Sequence, residues 1–261
     1  VLDGVLVVEG GIGPDFWRAP TQNDLMNGLA DGAHTWHDAV REPDAVEVTR
    51  PDDATVVIDT SYTLSVAGKP GARMTTTVRA DGTIGVAMAY AGSEQAREVP
   101  AVGTALTLPG DLTALTWFGD GPGAAYRDRT EGTALGRWSS AVDDSLFPHV
   151  VPQADGNHTD VRWLAVTDAD GAGLLVTALG QSVEAAALPA TDDAISAARH
   201  QHEVERDGAT HLAIDAAQAG VGFTWGENPV PGYSVNATEP REAHYVLSAL
   251  QAGDASSNTS E

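Results

Sequence analysis

Apolar and polar residues alternate with a period of two along much of this chain, and Asp-Gly pairs punctuate the alternation. Between Val56 and Val66 the even positions Val56, Ile58, Tyr62, Leu64 and Val66 are apolar, whereas Asp59, Ser61, Thr63 and Ser65 are polar. Successive side chains of a strand point to opposite faces, so this pattern predicts a strand with one buried face. Ile84, Val86, Met88 and Tyr90 repeat it. Asp81-Gly82 separates Arg73–Ala80 from Thr83–Ala91 and predicts a two-residue hairpin turn with both central residues at positive φ. Asp170-Gly171 separates Val161–Thr167 from Gly173–Leu179 in the same way, and Asp207-Gly208 precedes His211–Asp215.

Further strands are expected at Gly4–Glu9, Thr104–Leu108, Ala114–Phe118, Val183–Leu188 and Ala243–Leu250. Many short strands joined by glycine-rich turns predict an all-β fold, a large antiparallel β-sandwich. Thr191–Val204 is the exception. Thr191 or Asp192 can cap a short helix there, with Asp192 and Asp193 in its favourable first turn. A helical turn or two is also expected within 25–41, weakened by Gly28 and Gly32. Sandwiches of 261 residues form single domains, and no Pro/Ser-rich linker breaks the strand pattern. One domain over 1–250 is therefore expected, followed by a disordered small, polar tail at 251–261.

Charge narrows the partners. Fourteen Lys plus Arg stand against 37 Asp plus Glu, a formal charge of −23. Such a surface repels phosphate backbones and anionic lipid, so neither nucleic acid nor membrane is expected as a partner, whereas neutral sugars are compatible. There are no cysteines, hence no disulfide, thiolate metal site or cysteine nucleophile, and a cytoplasmic location is expected. No apolar run is long enough to form a membrane-spanning helix. VLDGVLVVEGGIGPDF has neither a basic n-region nor a long apolar core, so no signal peptide is expected within it. The glycosylation patterns at Asn157, Asn236 and Asn258 are short and read as ordinary loop sequence.

Residues with catalytic potential are plentiful but poorly organised. The acid doublets Asp52-Asp53, Asp143-Asp144 and Asp192-Asp193 are expected to be solvated turn residues, because neighbours on a strand face opposite ways. His34 and His37, and His200 and His202, lack the spacing and third ligand of a zinc site, so no metal site is expected. Gly119-Asp-Gly-Pro-Gly123 lacks the lysine and strand-to-helix setting of a phosphate loop, and Pro122 removes an N–H. Arg127, Arg129, Arg137 and Arg162 are expected to hold loops by pairing with acids such as Asp128, Asp143 and Asp160. Among six tryptophans, Trp163 alternates with Val161 and Ala165 and is expected in the core, and Trp17 and Trp117 are expected as structural anchors.

Two long blocks carry a family resemblance. FWRAPTQND, residues 16–24, resembles the FWRAPTDND-type run of the C-terminal domain of glycoside hydrolase family 2 β-galactosidases. WFGDGPGAAYRDRTEGTALGRWSSAVDDSLFPHVVPQADGNHTDVRWLAVTD, residues 117–168, is similar to the same family's W-Y-G-x-G-P…Y-x-D-R…P-Q-x-x-G-N-x-T-D-V-R-W run. Arg199-His-Gln-His-Glu-Val204 resembles an A-x-H-x-x-E-L stretch that closes a structural turn. The resemblance spans about Leu6 to Leu250 and implies a supersandwich like that of galactose mutarotase. It further implies a C-terminal module, inactive by itself, of an enzyme that hydrolyses terminal β-D-galactosides such as lactose with retention. The catalytic carboxylates would lie in an upstream barrel of the same polypeptide, with none in this chain. Magnesium and sodium ions would be bound by other domains, and the whole enzyme would be a homo-oligomer. Gly220-Val-Gly-Phe-Thr-Trp-Gly226 resembles the family's G-V-G-G-D-D-S-W-G segment, which implies that Trp225 contacts the sugar. Here Phe223-Thr224 replaces four residues, a loop two residues shorter.

Two other readings remain open from the residues. An independent aldose epimerase of mutarotase type would need a general acid and base converging in a cleft, for which His158, or His202 with Glu203, are the candidates. A non-catalytic carbohydrate-binding module would expose several tryptophans along a groove.

Overall fold

In the computed structural model of the chain, the described residues are 11–26, 35–40, 42–222 and 232–253. The expected strand Gly4–Glu9, His34, the segment around Trp225 and most of the expected tail lie outside them. Fourteen strands follow in chain order: β1 Gly13–Asp15, β2 Ala45–Asp52, β3 Thr55–Thr63, β4 Gly71–Arg79, β5 Ile84–Tyr90, β6 Ala101–Pro109, β7 Ala114–Gly121, β8 Ala134–Ala141, β9 Asn157–Val161, β10 Trp163–Thr167, β11 Gly173–Ala178, β12 Val183–Leu188, β13 Ala209–Gln218 and β14 Arg241–Leu250. Short helices α1 Gln22–Met26 and α2 Asp192–Ala197 accompany them.

The strands form two antiparallel sheets, so the expected all-β sandwich is what the chain builds. A five-stranded sheet runs β1-β6-β13-β12-β9, and a nine-stranded sheet runs β2-β3-β4-β5-β14-β11-β10-β7-β8. Their facing sides share one core. Leu106, Leu108, Leu212 and Ile214 come from the smaller sheet, and Val86, Leu115, Trp117, Leu164, Val166, Tyr245 and Leu247 from the larger. The Thr104 hydroxyl and the Tyr245 hydroxyl meet across the two sheets at 2.6 Å, which satisfies both buried polar groups. A second cluster gathers Phe16, Trp17, Trp36, Leu64, Met88 and Tyr90. The Phe16 ring lies edge-on to Tyr90 at 5.4 Å. Nine strands outreach five, and the far strand β2 is exposed along its length, with Val46 and Val48 56% and 58% accessible.

The hairpin turns correct one expectation. At Asp81-Gly82 and Asp170-Gly171 only the glycine has positive φ, 84° in each case. Gly82 N–H donates to Arg79 O and Gly171 N–H to Asp168 O. Arg79 N–H and Asp168 N–H then close three-residue loops on Thr83 O and Ala172 O. A type I turn followed by one left-handed glycine needs a single positive φ, so aspartate stays in ordinary backbone. Its carboxylate serves the turn instead, as Asp81 Oδ1 accepts from Thr83 N–H at 2.9 Å.

The strand expected across Val161–Thr167 is two strands. β9 ends at Val161 in the small sheet and β10 begins at Trp163 in the large one. Arg162 makes the crossing, its N–H donating to Phe118 O and its carbonyl accepting from Ala178 N–H. The crossing breaks the alternation. Leu164 and Val166 turn to the core, and Trp163 takes the outer face, half-buried, under the Arg137 guanidinium 5.8 Å away. The expected core placement of Trp163 is therefore wrong. Trp117 does anchor the core, at 1% exposure, with Nε1 donating to Asp120 O. α2 starts where expected, with Thr191 Oγ1 accepting from Ala194 N–H.

Candidate functional site

Residues 220–222 emerge from β13 and lead toward Trp225, and all their backbone polar groups are occupied. Gly220 N–H donates to Tyr233 O, which ties the outgoing segment to the returning one. Gly220 O accepts from Arg18 Nη2 at 3.2 Å and Val221 O from Asn23 Nδ2 at 2.9 Å. Val221 N–H and Gly222 N–H donate to the two oxygens of Asp128, at 3.1 and 2.8 Å. Gly222 O accepts from Arg129 Nη2 at 2.8 Å. Hydrogen bonds to charged groups are the stronger kind, and here they hold a short stem that no sheet ladder holds.

Both sequence blocks build this clamp. Arg18 is 4% exposed, and its Nη1 donates to Asp24 Oδ2 at 2.8 Å and to Ala19 O. Asp24 Oδ2 also accepts from Thr21 N–H, so the APTQND turn folds around its own carboxylate. α1 thereby presents Asn23 to the stem. Asp128 and Arg129 come from the loop after β7, closed by Arg129 N–H donating to Tyr126 O. Glycine is needed at the stem for space and for backbone angle. A Cβ on Gly220 would stand 2.6 Å from Asp128 Cγ, and Gly222 has φ 75°.

The expected arginine pairing is partly redistributed. Arg162 pairs with Asp160 at 3.0 Å as expected. Arg127 pairs with Glu184 at 3.0 Å, Asp143 pairs with Arg206, and Asp128 serves backbone amides. Burial raises Glu184 above the usual carboxylate range even with Arg127 beside it. Asp120 lies in β7, where its carboxylate accepts from the Thr159 hydroxyl at 2.7 Å.

The acid doublets are structural. Asp52 closes its hairpin on Ala54 N–H, Asp192 accepts from Ala19 N–H at 2.7 Å, and Asp193 pairs with His37 at 2.6 Å. The acid–base candidates His158 and His202 make no hydrogen bond to a carboxylate among the described residues. His158 is buried and stacked on Trp117 at 3.9 Å, and burial depresses it to about 4. Glu203 caps its own 3-10 turn through Arg199 N–H and His200 N–H, with His200 and His202 stacked on the surface. Asn157 is 1% exposed, its amide held by Ala125 O and Glu184, which removes it as a glycosylation acceptor. Among the described residues no group of three His, Asp or Glu is placed to hold a metal ion, and no helix is long and apolar enough to cross a membrane. Trp225 itself lies outside the described residues. The family motif signals Trp225, but it does not reveal that Arg18, Asn23, Asp128 and Arg129 meet at its stem.

Two sheets that share a core, with a clamped stem at 220–222, define a β-sandwich module. Residues 2–247 match the family described as β-galactosidase small chain, and the chain belongs to that family. It is 31% identical over 247 residues to a β-galactosidase of Priestia megaterium, covering 94% of this chain and 24% of that protein. A β-galactosidase of Lactobacillus delbrueckii subsp. bulgaricus is 34% identical over 238 residues, 90% of this chain and 23% of that one. The chain thus spans about a quarter of the length of these relatives. Among solved structures, a galactose mutarotase related enzyme from Lactobacillus acidophilus is similar at a TM-score of 0.40 and 9% identity, over 80% of this chain and 72% of that one.

Proposed function

We propose that this chain is the C-terminal module of a retaining β-galactosidase that hydrolyses terminal β-D-galactosides such as lactose. The upstream part of the polypeptide supplies a barrel with both catalytic carboxylates and the magnesium and sodium sites. This module contributes no catalytic residue. It presents the loop bearing Trp225 so that the indole packs against the apolar face of the sugar, completing the active site. The whole protein works in the cytoplasm as a homo-oligomer.

The observation that carries this reading is the clamp at 220–222, where every backbone polar group of three residues is occupied before the chain enters the Trp225 loop. Pre-set geometry spares ordering cost when a ligand arrives. A galactoside-contacting loop gains from such a stem, and a loop with only a connecting role has no need of it. The epimerase reading has less support, because His158 is stacked away and Glu203 is spent on a cap.

The test compares the whole polypeptide with the 261-residue chain on a chromogenic β-galactoside. The whole protein is expected to turn over and the chain alone to be inactive. Turnover by the purified chain that disappears on substituting one of its own acids would overturn the assignment.

A further inference from the structure

The outer face of the five-stranded sheet holds a cleft that shares Arg18 with the clamp. Leu106, Leu212 and Ile214 face the core, so their strand neighbours face outward. Register then aligns Gly13, Ala105, Ala213 and Ala186 in one row across β1, β6, β13 and β12. Nothing in that row is larger than a methyl group. The neighbouring row is Asp15, Gly103, Asp215 and Glu184, and the row on the other side is Thr107, His211 and Leu188. Over the alanine floor lies a cleft of about 410 Å³, walled by Trp17 and His37 and by the carboxyls of Asp15 and Asp192. Its volume is within the range of small-ligand sites.

The lining selects a ligand. Acceptors dominate. Asp15 accepts from the backbone N–H groups of Trp17, at 3.1 Å, and Phe16, and Asp192 accepts from that of Ala19 at 2.7 Å. A carboxylate offers about four acceptor positions, so capacity is left on the cleft side. Arg18 also lines the cleft. It is almost wholly buried, and its Nε has no partner among the described residues. An unmet buried donor is costly, and an oxygen brought in by a ligand would satisfy it. Asp155 and Asp193 complete an acidic rim that repels anions. Burial, reinforced by the charge of Asp192, raises the Asp15 carboxyl to about 7. Near neutrality it can therefore give or accept a hydrogen bond, which suits a hydroxyl better than a fixed cation. The Trp17 ring stands edge-on to His37 at 5.3 Å and provides an aromatic wall for C–H groups.

We propose that the cleft over the Gly13–Ala105–Ala213–Ala186 row binds an uncharged, monosaccharide-sized polyol. Its hydroxyls would bridge Asp15 and Asp192, with its apolar face on the alanines. The assignment stands on the cleft's own lining and does not depend on the galactosidase reading.

Calorimetry and saturation-transfer NMR on the 261-residue chain test it, with D-galactose and D-glucose as probes beside glucosamine and glucuronate as charged comparators. Saturable binding of a neutral hexose is expected, with a Kd of roughly millimolar for so small a ligand. Ala213→Leu fills the floor and abolishes binding. Asp15→Asn keeps the shape, lowers affinity at least about ten-fold, and serves as the test should Ala213→Leu fail to fold. Asp143→Asn, outside the cleft, leaves binding unchanged. The proposal is overturned by absence of saturable binding to chain with a native near-UV spectrum, by full affinity in folded Ala213→Leu or Asp15→Asn, or by preference for a charged probe. The whole-protein activity assay is independent of every one of these outcomes.

Discussion

The Asp128 carboxylate occupies the space beside Gly220 that a side chain would claim, with Cγ 2.6 Å from the Cβ position. From there it accepts from the two N–H groups that follow, on Val221 and Gly222. One side chain from the loop after β7 thus sets the course of a loop more than ninety residues later.

Gly220→Ala forces that contact apart. Overpacking of this kind costs about 1 to 3 kcal/mol, and the displaced carboxylate releases two amides. In the whole protein the variant is expected to melt earlier and to raise KM more than it lowers kcat. Thermal unfolding and steady-state kinetics read both. Wild-type values in both assays would show that the clamp is dispensable.

Trp225→Ala removes the ring and leaves the stem. A Trp at the centre of a binding surface contributes about 2 kcal/mol or more, so substrate and galactose binding in the whole protein should weaken while thermal stability holds. Unchanged binding together with lost stability would instead assign Trp225 to packing.

We propose that 1–250 unfolds as one unit, because strands distant in sequence alternate between the sheets. β6 and β13 lie in the small sheet, with β7, β8, β10 and β11 of the large sheet between them in the chain. Limited proteolysis should trim the ends and leave no separately stable halves. Recovery of two folded fragments split near the chain midpoint contradicts it.

His158 gives a pH dependence with a defined sign. Burial against Trp117 depresses its folded value to about 4 from 6.5. The unfolded chain therefore binds the extra proton between those values, and stability rises with pH across the window. The contribution is complete above about 6.5 and is lost as pH falls through about 4. NMR titration should leave the His158 ring neutral at pH 5.5 (roughly midway in that window). Protonation of the His158 ring at that pH in the folded chain would place it outside the stack.

Much of the architecture is local in origin and was legible from the residues. The alternation at Ile84 to Tyr90 became β5, Thr191 capped α2, and the Asp-Gly pairs became turns. Strands β1, β2 and β8 have no counterpart among the expected strands, and β1 is only three residues long. β2 is exposed along its length and β8 is mostly so, which leaves no one-sided pattern to read. Trp163 is expected in the core because Val161, Trp163 and Ala165 alternate in the sequence, which carries no mark of the sheet change at Arg162.

By itself the sequence determined most of the strands, the turn glycines and the family, since each resides in a few adjacent residues or in long contiguous motifs. Only the tertiary structure decided the sheet to which each strand belongs and what meets across the register. The clamp joins residues 18, 23, 128 and 129 to 220–222, and the alanine floor joins 13, 105, 186 and 213. Hydrogen-bond register creates these neighbours from segments far apart in the chain, and local propensity carries no information about it.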